Sequence, residues 1–120
     1  MMRSILVLAI AAGMSACGED LFGECADTVK AEAVSPSGRY VATVFERNCG
    51  ATTDYSTHIS LSGSGESFDS SKGTRVLTLG GKEAVAIDWS ADGTLSVALP
   101  EGATAFTRLE TWRDVRIVYR

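Results

Sequence analysis

His58 is the single histidine of the chain, so any imidazole chemistry, whether general base or metal ligand, has to run through it. Around it stand Asp54, Ser56 and Ser60, the residue types from which hydroxyl nucleophiles and carboxylate orienters are built. The stretch Ser56 to Leu61 alternates polar and apolar, which is the pattern of a half-buried strand. Residues two apart on a strand are separated by about 7 Å, too far for a relay, and no Gly-x-Ser-x-Gly elbow occurs. The expectation is that Thr57, Ile59 and Leu61 are buried while Ser56, His58 and Ser60 face solvent, with His58 an exposed strand residue. Zinc is disfavoured because Cys25, Cys49 and His58 show no paired ligand spacing. Glu46, Asp54, Asp88 and Asp92 are scattered and define no common carboxylate site. No catalytic residue, metal ligand or cofactor is assigned. Trp89 alternates with Val85 and Ile87, and so is expected to pack inward rather than form a recognition surface with Trp112.

Cys17 is a different case. Met1 to Ser4 carries one positive charge at Arg3, and Ile5 to Ala12 is an uninterrupted apolar run, the charged and hydrophobic regions of an export signal. The run is broken by Gly13 and Ser15 and followed by Gly18, Glu19 and Asp20, so it is short of the roughly 20 apolar residues a spanning helix needs. Met14-Ser15-Ala16-Cys17 resembles the bacterial lipobox: an apolar residue, two small residues that let the peptidase close on the backbone, and the thiol that takes a diacylglycerol thioether. Met14 stands where leucine is usual. Cleavage before Cys17 and lipidation of its thiol are expected, giving a membrane anchor through acyl chains worth about 0.8 kcal/mol per buried methylene. Gly18 follows the cysteine in place of the aspartate that retains lipoproteins at an inner membrane, so an outer membrane is preferred where there are two.

With Cys17 consumed by lipid, Cys25 and Cys49 remain as an even pair in an oxidising compartment, and a structural disulfide between them is expected. Redox activity is disfavoured because the two do not form a Cys-x-x-Cys unit.

The elements that carry these residues read as β. Residues 1–16 form the signal peptide, 17–27 an acidic tether and 28–120 a β-rich domain. Strands are predicted at Lys30 to Val34, Arg39 to Arg47 and Ser56 to Leu61, with Ser35-Pro36-Ser37-Gly38 a tight turn. Ser62 to Gly73 is loop. Arg75 to Leu79 is expected to pair with Glu83 to Trp89 across a Gly80-Gly81 hairpin turn. Leu95, Val97 and Leu99 continue the period-two pattern after a turn at Ser90 to Gly93; 104–113 is loop plus strand, and Val115, Ile117 and Tyr119 close the chain. The expected fold class is all-β, a small antiparallel β-sandwich or partly open barrel.

The 120 residues carry a net charge of −4, and losing Arg3 with the leader makes the mature part about −5. No basic patch is available for phosphate backbones, so nucleic acid is not an expected partner. The segment SPSGRYVATVFERNCGATTDYSTHISL, residues 35–61, resembles a group of small, uncharacterised bacterial envelope lipoproteins marked by an SPDGK-like turn, a strand and an ERDCGATT-like segment. Ser37 and Asn48 stand where aspartates are more usual, and Arg39 where lysine is common. The resemblance implies an exported β-rich domain and carries over no catalytic residue. A fainter likeness is to membrane-bound lysozyme inhibitors with a Ser-Gly-x-x-Tyr loop, although Ser37-Gly38-Arg39-Tyr40 is one residue shorter. The functional expectation is a lipid-anchored envelope module facing the periplasm, non-catalytic, binding a protein or cell-wall partner or supporting the envelope. The alternatives are a proteinaceous inhibitor of a cell-wall hydrolase and an envelope enzyme using His58.

Overall fold

The computed structural model describes residues 25–50, 54–65, 69, 73–91 and 93–120. The expectations for the signal peptide, for Cys17 and for most of the tether lie outside these residues, as does Asp92. Through the described residues run β1 (Ala26–Val34), β2 (Tyr40–Asn48), β3 (Ser56–Gly63), β4 (Thr74–Gly80), β5 (Ala86–Ala91), β6 (Thr94–Ala98), β7 (Ala105–Arg108), β8 (Thr111–Trp112) and β9 (Val115–Tyr119). They form two sheets, one ordered β1-β2-β3-β4-β7 and the other β5-β6-β9-β8.

Alternation explains why the sheets stack. One face of the first sheet presents Tyr40, Ala42 and Val44 from β2, Ile59 and Leu61 from β3, and Leu77 and Leu79 from β4. These bury against Leu95 and Val97 of β6, Trp112 of β8, and Val115 and Ile117 of β9. Each valine, leucine or isoleucine among them, fully buried, contributes roughly 1.5–3 kcal/mol, and neither sheet can bury its apolar face without the other. The described residues form an all-β sandwich. Trp89 packs inward as its alternation predicts, and its indole Nε1 donates to the Ala33 carbonyl 3.0 Å away on β1.

Three sequence expectations are corrected. β4 does not form a hairpin with β5: it pairs with β3 and β7, while β5 pairs with β6 in the other sheet. Gly81 does take the positive φ of 83° that a tight turn uses. However, the buried Thr57 hydroxyl donates to the Gly81 carbonyl at 2.7 Å and accepts from the Glu83 amide at 3.0 Å. Those bonds occupy backbone groups of the turn and lead the chain over to the second sheet. The sandwich is also not wholly antiparallel, because β9 lies parallel to β6. Parallel neighbours need a long crossover, and residues 99–114 supply it, contributing β7 to the first sheet on the way. Finally, β1 begins at Ala26, not Lys30, so the last two residues of the stretch read as tether are strand.

Arg47 holds that early start by clamping Asp27 with bonds of 2.9 and 3.1 Å. Next to it, Cys25 and Cys49 are disulfide-bonded with Cα atoms 4.0 Å apart, one step beyond the Ala26 and Asn48 pair that ends the ladder. Lys30 is the extra residue of a bulge between Val29 and Ala31, a device that disrupts the open edge of β1.

The antiparallel order puts the start of β1, the end of β2, the start of β3, the end of β4 and the start of β7 at one end of the first sheet, the cysteine end. At the opposite end the Ser35 to Arg39 turn meets the two-residue turn Arg113-Asp114 that joins β8 to β9. There the Tyr40 hydroxyl donates to Asp114 at 2.7 Å, and Arg39 donates to Asp114 at 2.9 Å and to the Tyr40 oxygen at 2.6 Å. Trp112 packs edge-on against Tyr40 with ring centres 5.2 Å apart. This cluster ties one sheet to the other.

Candidate functional site

His58 sits on β3 between Phe45 of β2 and Thr78 of β4, on the face of the first sheet that points away from the sandwich core. Alternation predicts a solvated ring here; instead it is only 4% exposed. Phe45 explains the difference. Its ring stacks on the imidazole with centres 4.9 Å apart, and the guanidiniums of Arg75 and Arg47 lie over the same ring at 5.6 and 6.0 Å. The outer face of this sheet therefore carries its own small buried layer, in which Thr43 and Ser60 are also covered.

The relay judged too long also forms. His58 Nε2 lies 2.7 Å from the Ser56 hydroxyl and Nδ1 lies 3.2 Å from the Thr78 hydroxyl, so the ring donates to one and accepts from the other. Strand spacing measures Cα to Cα. A histidine side chain tilted along the strand closes that gap.

Geometry alone makes Ser56 and His58 look like a nucleophile and its base, but the electrostatics oppose that chemistry. Burial, then the charges of Arg75 and Arg47, push the His58 imidazole down to about 4, outweighing the opposite pull of Asp27. A general base must become imidazolium during reaction and needs a carboxylate to stabilise it. Here the group behind the ring is a threonine hydroxyl, and the Asp27 carboxylate is engaged by Arg47.

Ser56 also lines a cavity of about 410 Å³ at the cysteine end. Three loops build it. Asp54 and Tyr55 lead into β3, Gly80, Gly81 and Glu83 follow β4, and Gly102, Thr104 and Phe106 lead into and along β7. Their backbones are cross-linked: the Gly81 amide donates to the Tyr55 carbonyl at 2.7 Å and the Gly80 amide to the Thr104 carbonyl at 3.1 Å. Thr57 fixes Glu83 from below, and the Asn48 amide reaches the Tyr55 hydroxyl at 3.5 Å. The Lys82 ammonium lies 4.2 Å from the centre of the Tyr55 ring. Phe106 is 71% exposed and rests against Gly80, where a Cβ would stand 3.1 Å from its ring.

Among the described carboxylates considered from sequence, only Asp54 lines this cavity, and Glu83 lines it as well. Glu46 instead faces Lys30 at 4.0 Å, and Asp88 lies exposed on β5. Tyr55, Glu83, Thr104 and Phe106 were not singled out from sequence; no spacing signal unites three loops so far apart in the chain. Among the described residues no group of three or more His, Cys, Asp or Glu side chains is placed to hold a metal ion.

Comparison with known proteins gives no match: no family model fits the chain, and no curated protein or solved structure is significantly similar to it.

Proposed function

We propose that the chain is a lipid-anchored envelope module, cleaved before Cys17, facing the periplasm, and acting by binding rather than catalysis. The leader and the Met14 to Cys17 sequence support the anchoring, and the Cys25 to Cys49 bond fits an oxidising compartment. Seven residues lie between Cys17 and Cys25, eight steps and at most about 28 Å of extended chain, so on this reading the cysteine end of the sandwich faces the membrane. Gly18 favours an outer membrane over an inner one, and the resemblance of residues 35–61 to small envelope lipoproteins agrees with the export reading.

The observation that carries the binding function is the cavity of about 410 Å³ whose three loops are already cross-linked through their backbones. A preformed cavity suits recognition, whereas an imidazole denied its charged form suits structure. The inhibitor reading is weaker because Tyr40, the aromatic residue of the loop, is buried and bonded to Asp114 rather than presented outward.

Fractionation tests the proposal. The full-length protein is expected in the membrane pellet and Cys17→Ser in the soluble or unprocessed fraction, while His58→Gln captures the same envelope partners as the parent. A Cys17→Ser protein that pellets and captures like the parent would overturn the anchoring, and loss of capture in a folded His58→Gln protein would overturn the structural reading of His58 and make residues 54–60 the site.

A further inference from the structure

We infer that the cavity at the cysteine end binds a neutral, polyhydroxylated ligand, a short glycan, with Phe106 as its stacking platform and Asp54, Glu83, Ser56 and Thr104 as its hydrogen-bonding groups. The inference rests on the binding-module reading and gives that module a ligand class.

The first argument is Phe106. An aromatic ring left 71% exposed adds little to the core, yet this one is held in place against a glycine, where any side chain would crowd it. An exposed ring fixed beside a polar cavity offers what the C–H face of a sugar packs on: a flat apolar surface with acceptors at its edge. The second is the lining. Sugar hydroxyls need acceptors and donors at fixed positions, and here two carboxylate residues and three hydroxyl residues, Tyr55, Ser56 and Thr104, line one cavity. The main-chain amides of Gly80, Gly81 and Glu83 are bonded inside the protein, so a ligand would find its donors on the rim elsewhere than in those three groups.

Charge then selects among ligands. Asp54 and Glu83 repel an anion, which sets aside phosphate and carboxylate ligands. Asp54 and Glu83 would draw a cation, but the protein's own Lys82, over the Tyr55 ring, already occupies that aromatic face and opposes a second positive charge. A neutral ligand meets neither obstacle. The volume of about 410 Å³ lies within the range of small-molecule sites and leaves room for about one to two sugar rings.

The test is an NMR titration of the mature lipidated protein in detergent micelles with a β-1,4-linked N-acetylglucosamine tetramer and with maltotetraose, and in parallel with trilysine and inorganic phosphate. At least one saccharide is expected to give saturable shifts confined to residues 54–56, 80–83 and 102–106. Phe106→Ala, which alters an exposed side chain, should weaken that binding about tenfold or more. Gly80→Ala, which displaces the ring, should weaken it as well, and Val34→Ala, at an exposed position near the opposite end, should leave it unchanged. The inference is overturned if neither saccharide gives saturable shifts, if Phe106→Ala binds like the parent, or if trilysine or phosphate shifts these residues more strongly. Saccharide binding by a soluble Cys17→Ser protein would leave this inference standing and remove the anchoring. A membrane-held protein that ignores both saccharides would do the reverse.

Discussion

Acid should loosen this protein through His58 in a way that one substitution isolates. The imidazole is only 4% exposed and held down to about 4, against an ordinary value near 6.5 for an unfolded chain. Between those values the unfolded state binds a proton that the folded state refuses, so stability rises with pH across that window. The contribution is fully present above pH 6.5 and is lost as pH falls through 4. Linkage with these two values gives a loss of about 2 kcal/mol between pH 7 and pH 5, approaching about 3 kcal/mol by pH 4. Other groups titrate in the same range, so the quantity to compare is a difference. Urea unfolding should be followed at half-unit steps from pH 7.5 to 4.5 for the parent and for His58→Gln, whose amide still bonds a hydroxyl but takes no proton. The variant is expected to be less stable at neutral pH, because it loses the stack on Phe45, and to show a shallower pH slope. Parallel slopes would refute the reasoning and mean that His58 titrates in the folded protein much as it does in water.

Two further outcomes follow from the ends of the sandwich. Tyr40→Phe keeps the edge-on packing against Trp112 but removes the hydroxyl that joins Arg39 and Asp114, and should cost about 1 kcal/mol in chemical denaturation; a cost near zero would mean the cluster does not tie the sheets. Reducing the Cys25 to Cys49 bond, with a sequence separation of 24, should lower stability by about 3.5 kcal/mol on the chain-entropy account. Non-reducing peptide mapping should find the two cysteine peptides linked, and free thiols at both positions would contradict it.

The strands were legible in the sequence because period-two alternation is a local signal. Leu95, Val97, Val115 and Ile117 declare their face without help from the rest of the chain, and the loop-plus-strand reading of 104–113 matches β7 and β8. Turn chemistry was only half legible. Gly80-Gly81 does turn the chain, but a diglycine cannot say whether the next strand returns to the same sheet or crosses to the facing one. Thr57, more than twenty residues earlier, settles that. The parallel pairing of β6 with β9 is likewise set by distant packing. His58 was misread for a related reason: alternation separates two faces and says nothing of what covers the second. Its cover comes from Phe45, Arg47 and Arg75 on neighbouring strands. The cavity was illegible because its loops share no motif, and Phe106 stands out only once Gly80 is beneath it.

Mass analysis of the N-terminal peptide of protein purified from membranes tests the anchored-module account most directly. The account predicts a mature chain that begins at Cys17 and carries the added mass of a diacylglyceryl group on that residue, with the Cys25 and Cys49 peptides linked elsewhere in the same digest. A chain that retains residues 1–16, or one that begins elsewhere with an unmodified thiol at Cys17, would contradict it.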